Sequence, residues 1–220
     1  MQFGLNAQEC VIRQFVKRFA LIGAVVLLPI GTLNANDALN DEIADPQQAA
    51  ALVTRMAESA FAVSAATTQG TRPGKARDAL RALLAQDFNI RYIAHYTLGS
   101  SGRSLDADAM AAYDAAFADY LIGRYAAGIS TKGGVRFTVV GAEHAGVRDA
   151  VVTLKVSSEP ARETVTQWRV RVFSGRAQII DAAIDGEWLS VHERADCDAL
   201  VKRIGVQGLL ARVLSVADNY

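Results

Sequence analysis

The spacing of apolar residues changes from a helical period to alternation near Ile129, and this change constrains the fold more than any other feature. Before it, apolar and aromatic residues recur every three or four positions, which is the period of an amphipathic helix. After it, apolar residues alternate with polar ones, as they do in strands with one buried face. Helices followed by consecutive strands indicate an α+β fold. We therefore expect an antiparallel four-stranded meander sheet covered on one face by several helices.

Two helices are predicted at the start of the domain. Asp45 followed by Pro46 is a helix-start signal, and apolar residues at helical spacing carry this first helix to about Ala66. After a turn rich in Gly and Thr, Pro73 begins a second helix whose leucines lead into Phe88. Its charged residues are interpreted as a solvated face.

The stretch from Asp87 to Ile129 is unusually aromatic and predicts two further helices. The first is short and ends at Gly99, a residue able to take positive φ. Asp106 is a natural N-cap for the second, which carries one aromatic face. An aromatic stripe at this spacing is compatible with an ordinary core and also with the wall of a binding site.

Four strands are predicted from period-two alternation, and the dipeptide Ser174-Gly175 predicts a hairpin between the last two. The chain then returns to helix, with a break at Gly205. The predicted strands cover Val135–Val139, Val152–Val156, Trp168–Val172 and Gln178–Asp185.

The N-terminus resembles a secretory signal peptide. Basic residues precede a twelve-residue apolar run, Phe19 to Ile30, which is too short to span a bilayer comfortably. We predict a signal peptide over residues 1–35 with cleavage after Ala35, a flexible arm over 36–44 and a single domain over 45–220. The chain without the leader has 20 Lys+Arg and 22 Asp+Glu, a net charge of −2. With no basic stripe, the composition does not favour nucleic-acid binding.

Candidates for catalysis and metal binding are weak. His95, His144 and His192 lie far apart without Cys, Asp or Glu at ligand spacing, so the sequence predicts no metal site. Neither a phosphate-binding loop nor a dinucleotide fingerprint occurs, and no cofactor is predicted. An acidic cluster between Asp181 and Glu193 is interpreted as a solvated rim. Cys197 is interpreted as a small buried residue.

The domain instead has a surplus of apolar surface. Each predicted strand and each helix has one apolar face, and the fourth strand places the small residue Ala182 between Ile180 and Ile184 on the inward face. Small side chains there leave volume, and volume lined by carbon suits an apolar ligand. The alternative is that the helices fill the space completely.

Several ordered segments resemble the MlaC family of periplasmic phospholipid-binding proteins, also called the toluene-tolerance family. The resemblance covers roughly residues 76–214 and rests on five motifs. It departs from the family at Ala107, where a proline is usual, at Ala177, where a tryptophan is common, and in the segment after Gly186. The motifs are Ile93–Gly99, Ala112–Ala126, Gln167–Arg171, Ile179–Gly186 and Ile204–Val213.

This resemblance implies a periplasmic carrier rather than an enzyme. Such a carrier buries the acyl chains of a phospholipid between sheet and helices and keeps the head group in water. It would shuttle lipid between an outer-membrane lipoprotein and porin complex and an inner-membrane ABC transporter with an MCE-domain subunit, a system that maintains outer-membrane lipid asymmetry. The predicted wall residues are Tyr92, Tyr96, Phe117, Leu121, Tyr125, Phe137, Val139, Leu154, Trp168, Val170, Ile180, Ala182, Ile184 and Trp188.

Three alternatives stay open at this level. The apolar ligand could be a hopanoid or another isoprenoid, since some family members are encoded with hopanoid-synthesis genes. A small isomerase or hydrolase could use His95 or Asp181 as a base, with a raised pKa as its signature. A purely structural partner module would have a filled core and no ligand.

Overall fold

The computed structural model describes residues 43–68, 73–125, 135–158 and 162–218. The predicted signal peptide lies outside the described residues, as does most of the predicted arm. Ala44 packs in the folded domain, because it is buried and its N–H donates to the carbonyl of Arg148 at 3.0 Å.

The described residues form five helices and five strands, and four of these strands follow the order that the sequence predicts. The helices are α1 (Pro46–Thr68), α2 (Pro73–Asp87), α3 (Ile90–Leu98), α4 (Ala107–Tyr125) and α5 (Leu189–Asp218), and a 3-10 turn covers Gly99–Ser104. The strands are β1 (Val135–Ala145), β2 (Asp149–Ser158), β3 (Arg162–Phe173), β4 (Arg176–Ile184) and β5 (Glu187–Trp188).

The sheet is an antiparallel meander in which spatial order equals chain order, β1 to β5. Two-residue turns close the last two hairpins. Ser174 and Gly175 have φ of 48° and 76°, and Asp185 and Gly186 have φ of 50° and 88°. Positive φ at both central residues matches the right-handed twist of paired strands. The predicted α+β meander is confirmed, with the short β5 in addition.

Local sequence explains where the helices start and stop. The N–H of Ala109 donates to the Asp106 carboxylate at 2.8 Å, so Asp106 caps α4 as predicted. Gly99 ends α3 with φ 58° and ψ −136°. Gly205, with φ 74° and ψ 170°, divides α5 into two segments.

Gly99 is required by its backbone conformation, and an added side chain would also displace the guanidinium of Arg194. A Cβ at this position would lie 2.7 Å from Nη2 of Arg194, and Nη1 of the same guanidinium donates to the Tyr96 carbonyl at 3.1 Å. We expect Gly99→Ala to lower the free energy of unfolding by about 1–3 kcal/mol in urea denaturation. Gly146→Ala is the control, because Gly146 has φ 68° but open space around it. An equal loss in both variants would contradict the role of the close contact.

The interior contains two apolar clusters. The first lies between α1 and the sheet and includes Val53, Met56, Val152 and Trp168. The second joins α3, α4 and α5. Because the sheet and the three-helix cluster are separate packing units, the space between them is where a cavity can form.

A β-bulge alters the face that β4 presents to the interior. Val170 pairs with Ile179 while Arg169 pairs with Asp181, so Ile180 is the extra residue. Simple alternation places Ile180 on the same face as Ala182. In the structure, Ile179 joins Ala182 in the cluster packed against α1.

Candidate functional site

A cavity of about 180 Å³ lies where α2 covers the junction between the sheet and the helices. Its space, including the part open to solvent, is about 1060 Å³. Carbon atoms form almost all of its surface. The lining residues are Met56, Ala60, Leu80, Leu83, Leu84, Phe88, Ile93, Thr97, Leu121, Ile122, Trp168, Asp181, Ala182, Leu189, Ser190 and Glu193.

Helical spacing explains the outer wall. Leu80, Leu83 and Leu84 of α2 stand three and four residues apart and therefore share one face of the helix. All three are half-buried. Trp168 and Ala182 face them from the sheet, where they are direct register partners on β3 and β4. Because Ala182 is much smaller than the neighbouring Trp168, a space remains above Ala182, and α2 covers this space.

The buried side of the cavity carries its polar groups. Thr97, Ser190 and Glu193 are fully buried, and Asp181 is half-buried. The Asp181 carboxylate accepts hydrogen bonds from the N–H of Ser190 at 3.1 Å and from the Ser190 hydroxyl. It also accepts the N–H of Ala182 at 2.9 Å. Asp181 therefore holds the first turn of α5 against β4, a role that needs no ligand.

Glu193 joins α4 to α5. One carboxylate oxygen accepts the Arg124 Nε–H at 2.9 Å, and the other accepts the Tyr120 hydroxyl at 3.3 Å. Arg124 also pairs with Asp196 at 2.8 Å and lies over the Tyr120 ring. The charge of Glu193 is thus compensated from outside the cavity, and among the described lining residues no cation faces the hydrocarbon space.

The carboxyl group of Asp181 has a raised pKa because burial disfavours its charge, although the hydrogen bonds from Ser190 act in the opposite direction. A raised pKa in the folded state means that this group stabilises the fold at low pH and that the contribution is lost as pH rises. We expect the unfolding free energy of the native protein minus that of Asp181→Asn to fall between about pH 4 and neutrality. Urea denaturation at several pH values measures this difference. A difference that is constant or increases with pH would contradict the prediction.

Neither candidate base has a catalytic arrangement. His95 is exposed, lies 2.8 Å from Asp114 and does not line the cavity. Asp181 accepts hydrogen bonds from α5, and Ser190 donates its hydroxyl to Asp181, so no base is positioned to activate that hydroxyl. Among the described residues, no cluster of three His, Cys, Asp or Glu side chains could hold a metal ion.

Three of the predicted wall residues line the cavity: Leu121, Trp168 and Ala182. Four others lie in the cluster between α1 and the sheet: Phe137, Val139, Leu154 and Val170. Phe137 stacks on Phe61 with ring centroids 5.2 Å apart. Phe117 is buried among the helices. Ile180 and Ile184 are buried on β4 outside the cavity lining. The side chain of Tyr125 lies outside the described residues.

The other three predicted aromatic residues lie beneath guanidinium groups. Arg171 lies 5.2 Å from the ring centroid of Tyr92, Arg194 lies 5.4 Å from that of Tyr96, and Arg169 lies 5.6 Å from that of Trp188. Such contacts are cation–π pairs, and none of these three rings lines the cavity. Asp149 links two of these arginines, since it pairs with Arg169 at 3.0 Å and with Arg171 at 2.6 Å.

Sequence reasoning missed the leucines of α2 and the contribution of α1 and α5. The 3–4 spacing of the leucines was visible, but it does not tell which layer the helix covers. The sequence signals the polar lining residues only through the acidic cluster, and it predicts that this cluster is solvated. In the structure, Asp181 and Glu193 face inward, and Asp185 and Glu187 are exposed.

A second recess of about 460 Å³ lies at the C-terminal end of α2 and has a different character. Arg55, Asp87 and Arg176 contribute to it, together with Gln48 and Gln86. Asp87 is only 3% exposed, and burial raises its pKa. Charged groups around this recess make it unsuitable for hydrocarbon, so the carbon-lined cavity is the candidate site.

Comparison with known proteins decides the family. The family model described as MlaC protein matches residues 54–214. The chain belongs to the MlaC family. This match includes α2 to β5, most of α1 and the greater part of α5, and with them every residue that lines the cavity. The resemblance predicted from sequence motifs is therefore confirmed.

One solved structure shows how the MlaC fold of this chain compares with a relative. The phospholipid-binding protein from Ralstonia solanacearum, solved in complex with a phospholipid, has 19% sequence identity and a TM-score of 0.58. The match covers 78% of this chain and 97% of that chain. No curated protein matches the chain by sequence. At this identity the likeness establishes the fold.

None of the helices in the described part of this MlaC chain combines the length and apolar character needed to cross a bilayer.

Proposed function

We propose that the protein is a periplasmic phospholipid carrier that buries acyl-chain carbon in the cavity beneath α2 and leaves the head group in water. The observation that carries the proposal is a carbon-lined cavity enclosed by the part of the chain that matches the MlaC family. That family consists of lipid-binding carriers rather than enzymes. The relative from Ralstonia solanacearum binds a phospholipid in its structure, which supports the same ligand class here.

Hydrophobic burial supplies enough driving force for such a carrier. Each methylene taken out of water contributes about 0.8 kcal/mol, so a small part of an acyl chain already gives measurable affinity. An apolar cavity of about 150 Å³ can stay dry and take up a benzene-sized molecule. The cavity of about 180 Å³ can hold such a segment of hydrocarbon as it stands.

The lining predicts the orientation of the lipid. Its polar side chains lie on the buried side and include two carboxylates, while apolar side chains of α2 form the solvent side. An anionic phosphate head group that entered first would leave water for a carbon-lined space in which no described lining residue is a cation. The lipid therefore enters tail first, and the head group stays at the solvent side.

The carrier would exchange its cargo with two membrane complexes. We propose an outer-membrane lipoprotein and porin complex on one side and an inner-membrane ABC transporter with an MCE-domain subunit on the other. A secretory leader over residues 1–35 would deliver the protein to the periplasm. The predicted cleavage after Ala35 is tested by N-terminal sequencing of the periplasmic protein.

Native mass spectrometry of the gently purified protein, followed by lipid extraction, tests the ligand. We expect a bound phospholipid with a mixture of head groups, because the described lining offers no cation to select one. Bound hopanoid or another isoprenoid would replace phospholipid as the cargo in this proposal. Repeated recovery of lipid-free protein would contradict it.

A further inference from the structure

We propose that α2 is the lid of the cavity, that the Arg81–Asp119 ion pair holds it shut, and that it opens by pivoting about its C-terminal end. This inference rests on the proposed function for the identity of the cargo. The first observation is size. Ligand sites for molecules of moderate size usually enclose about 300–1,000 Å³, whereas this cavity holds about 180 Å³. A lipid with two chains needs more room, so a wall has to move.

The packing of α2 shows which wall can move. The helix has 15 residues, and among its described apolar side chains each is half-buried or exposed. The neighbouring helix α1 places a row of fully buried side chains against the sheet, including Leu52, Val53 and Met56. Elements with few buried apolar contacts open at lower free energy than the core around them. Helix α2 is therefore the wall that yields first.

An ion pair in the middle of α2 spans the side that faces α4. The Nη2 and Nε atoms of Arg81 lie 2.6 and 2.9 Å from one carboxylate oxygen of Asp119. Leu80 precedes Arg81 and Leu121 follows Asp119 by two positions, and both leucines line the cavity. The side chains of Arg81 and Asp119 are 44% and 24% exposed, so water and a partner can reach the pair. This position makes the pair a latch across the mouth of the cavity.

The C-terminal end of α2 is attached to the sheet. The N–H of Asn89 donates to the Ile179 carbonyl at 3.0 Å, and the Asn89 side chain donates to Gln178 at 3.1 Å. Gln178 in turn donates to the Phe88 carbonyl at 3.3 Å, and Phe88 forms a bridge with Ile179. These bonds fix the residues that follow α2 on the edge of β4. A pivot at this end moves Leu80 farther than Leu84 and opens the cavity toward α4.

A crosslink across the latch tests the motion. Cysteines replace both Arg81 and Asp119 in protein that lacks residues 1–35 and therefore Cys10, and a flexible bismaleimide joins them. Cys197 is buried and does not compete for the reagent. Vesicles of phosphatidylethanolamine and phosphatidylglycerol that contain a fluorescent phospholipid supply the cargo. We expect the crosslink to slow lipid exchange by about tenfold or more, because exchange needs the opened lid. The same double variant without the reagent is the control. A crosslinked protein that exchanges lipid within twofold of this control would overturn the lid.

Charge removal tests the latch separately. Since an exposed ion pair contributes about 0.2–1 kcal/mol, Arg81→Gln should speed exchange by up to about fivefold. Lys155→Gln is the matched control, because it breaks a surface pair of 3.0 Å between β2 and β3 far from α2 in the chain. Equal exchange rates in the two variants would show that the Arg81–Asp119 pair does not hold the lid.

Hydrogen exchange separates failure of the lid from failure of the proposed function. If the native protein takes up no phospholipid, the carrier function fails, and the lid is judged on the lipid-free protein alone. The backbone amides of α2 should then exchange hydrogen faster than those of α1. Arg81→Gln should speed exchange in α2 and leave exchange in α1 unchanged. Equal protection of both helices would overturn the lid whatever the ligand is.

Discussion

Replacing Ala182 with Trp is expected to remove most of the phospholipid that the purified protein carries. Ala182 lies on the cavity wall next to Trp168, and an indole at this position occupies space that hydrocarbon would fill. Excluding only two methylenes costs about 1.6 kcal/mol of binding, so the bound lipid should decrease by roughly tenfold or more. Native mass spectrometry of the two proteins, purified side by side, measures the ratio.

Two further variants make this result interpretable. Leu84→Trp fills the same cavity from α2, where the side chain is only half-buried and the helix can adjust, so it covers the case in which Ala182→Trp does not fold. Val140→Trp is the control, because Val140 lies on the bulge of β1 and is 48% exposed. Normal lipid content in both cavity variants would place the ligand elsewhere.

The second large effect is expected from Arg124→Met. This change leaves the buried carboxylate of Glu193 without its cation, and Glu193 is only 3% exposed. Breaking a buried pair costs about 3–5 kcal/mol, and because the Arg124 side chain is partly exposed we expect about 2–4 kcal/mol. The free energy of unfolding from urea denaturation measures the loss.

The double variant Arg124→Met with Glu193→Met should recover part of this stability, since it also removes the buried negative charge of Glu193. Arg81→Met supplies the contrast with an exposed pair, for which the loss should stay below about 1 kcal/mol. A double variant less stable than Arg124→Met alone would show that the pair does not act through the charge of Glu193.

The sequence predicted most of the fold because the governing signals are local. Asp106, Gly99, Ser174-Gly175 and Gly205 each act within a few residues, as caps, turns or breaks, and the structure uses each of them as expected. The short β5 was missed because two residues carry too little alternation to be recognised. The bulge at Ile180 was missed because an extra residue changes register without changing composition.

The site was harder to predict because it depends on how elements meet. Tyr92, Tyr96 and Trp188 are apolar rings on predicted interior faces, yet arginines distant in sequence cover each of them. Conversely, Asp181 and Glu193 look like surface residues in the sequence, and their partners on other elements allow them to face inward. The lipid-binding role of the residues predicted from the sequence stays a prediction that the variants above test.

The position of α1 has a consequence for how the chain matures. Val53 on α1 packs in the same cluster as Val152 on β2, so this face of the helix is buried only when the hairpins far behind it in the chain have formed. The hairpins close through short turns and form early, whereas docking of α1 has to close a long loop. The apolar face of α1 that packs on the sheet is therefore synthesised first and buried last, which leaves it exposed while the rest of the domain folds.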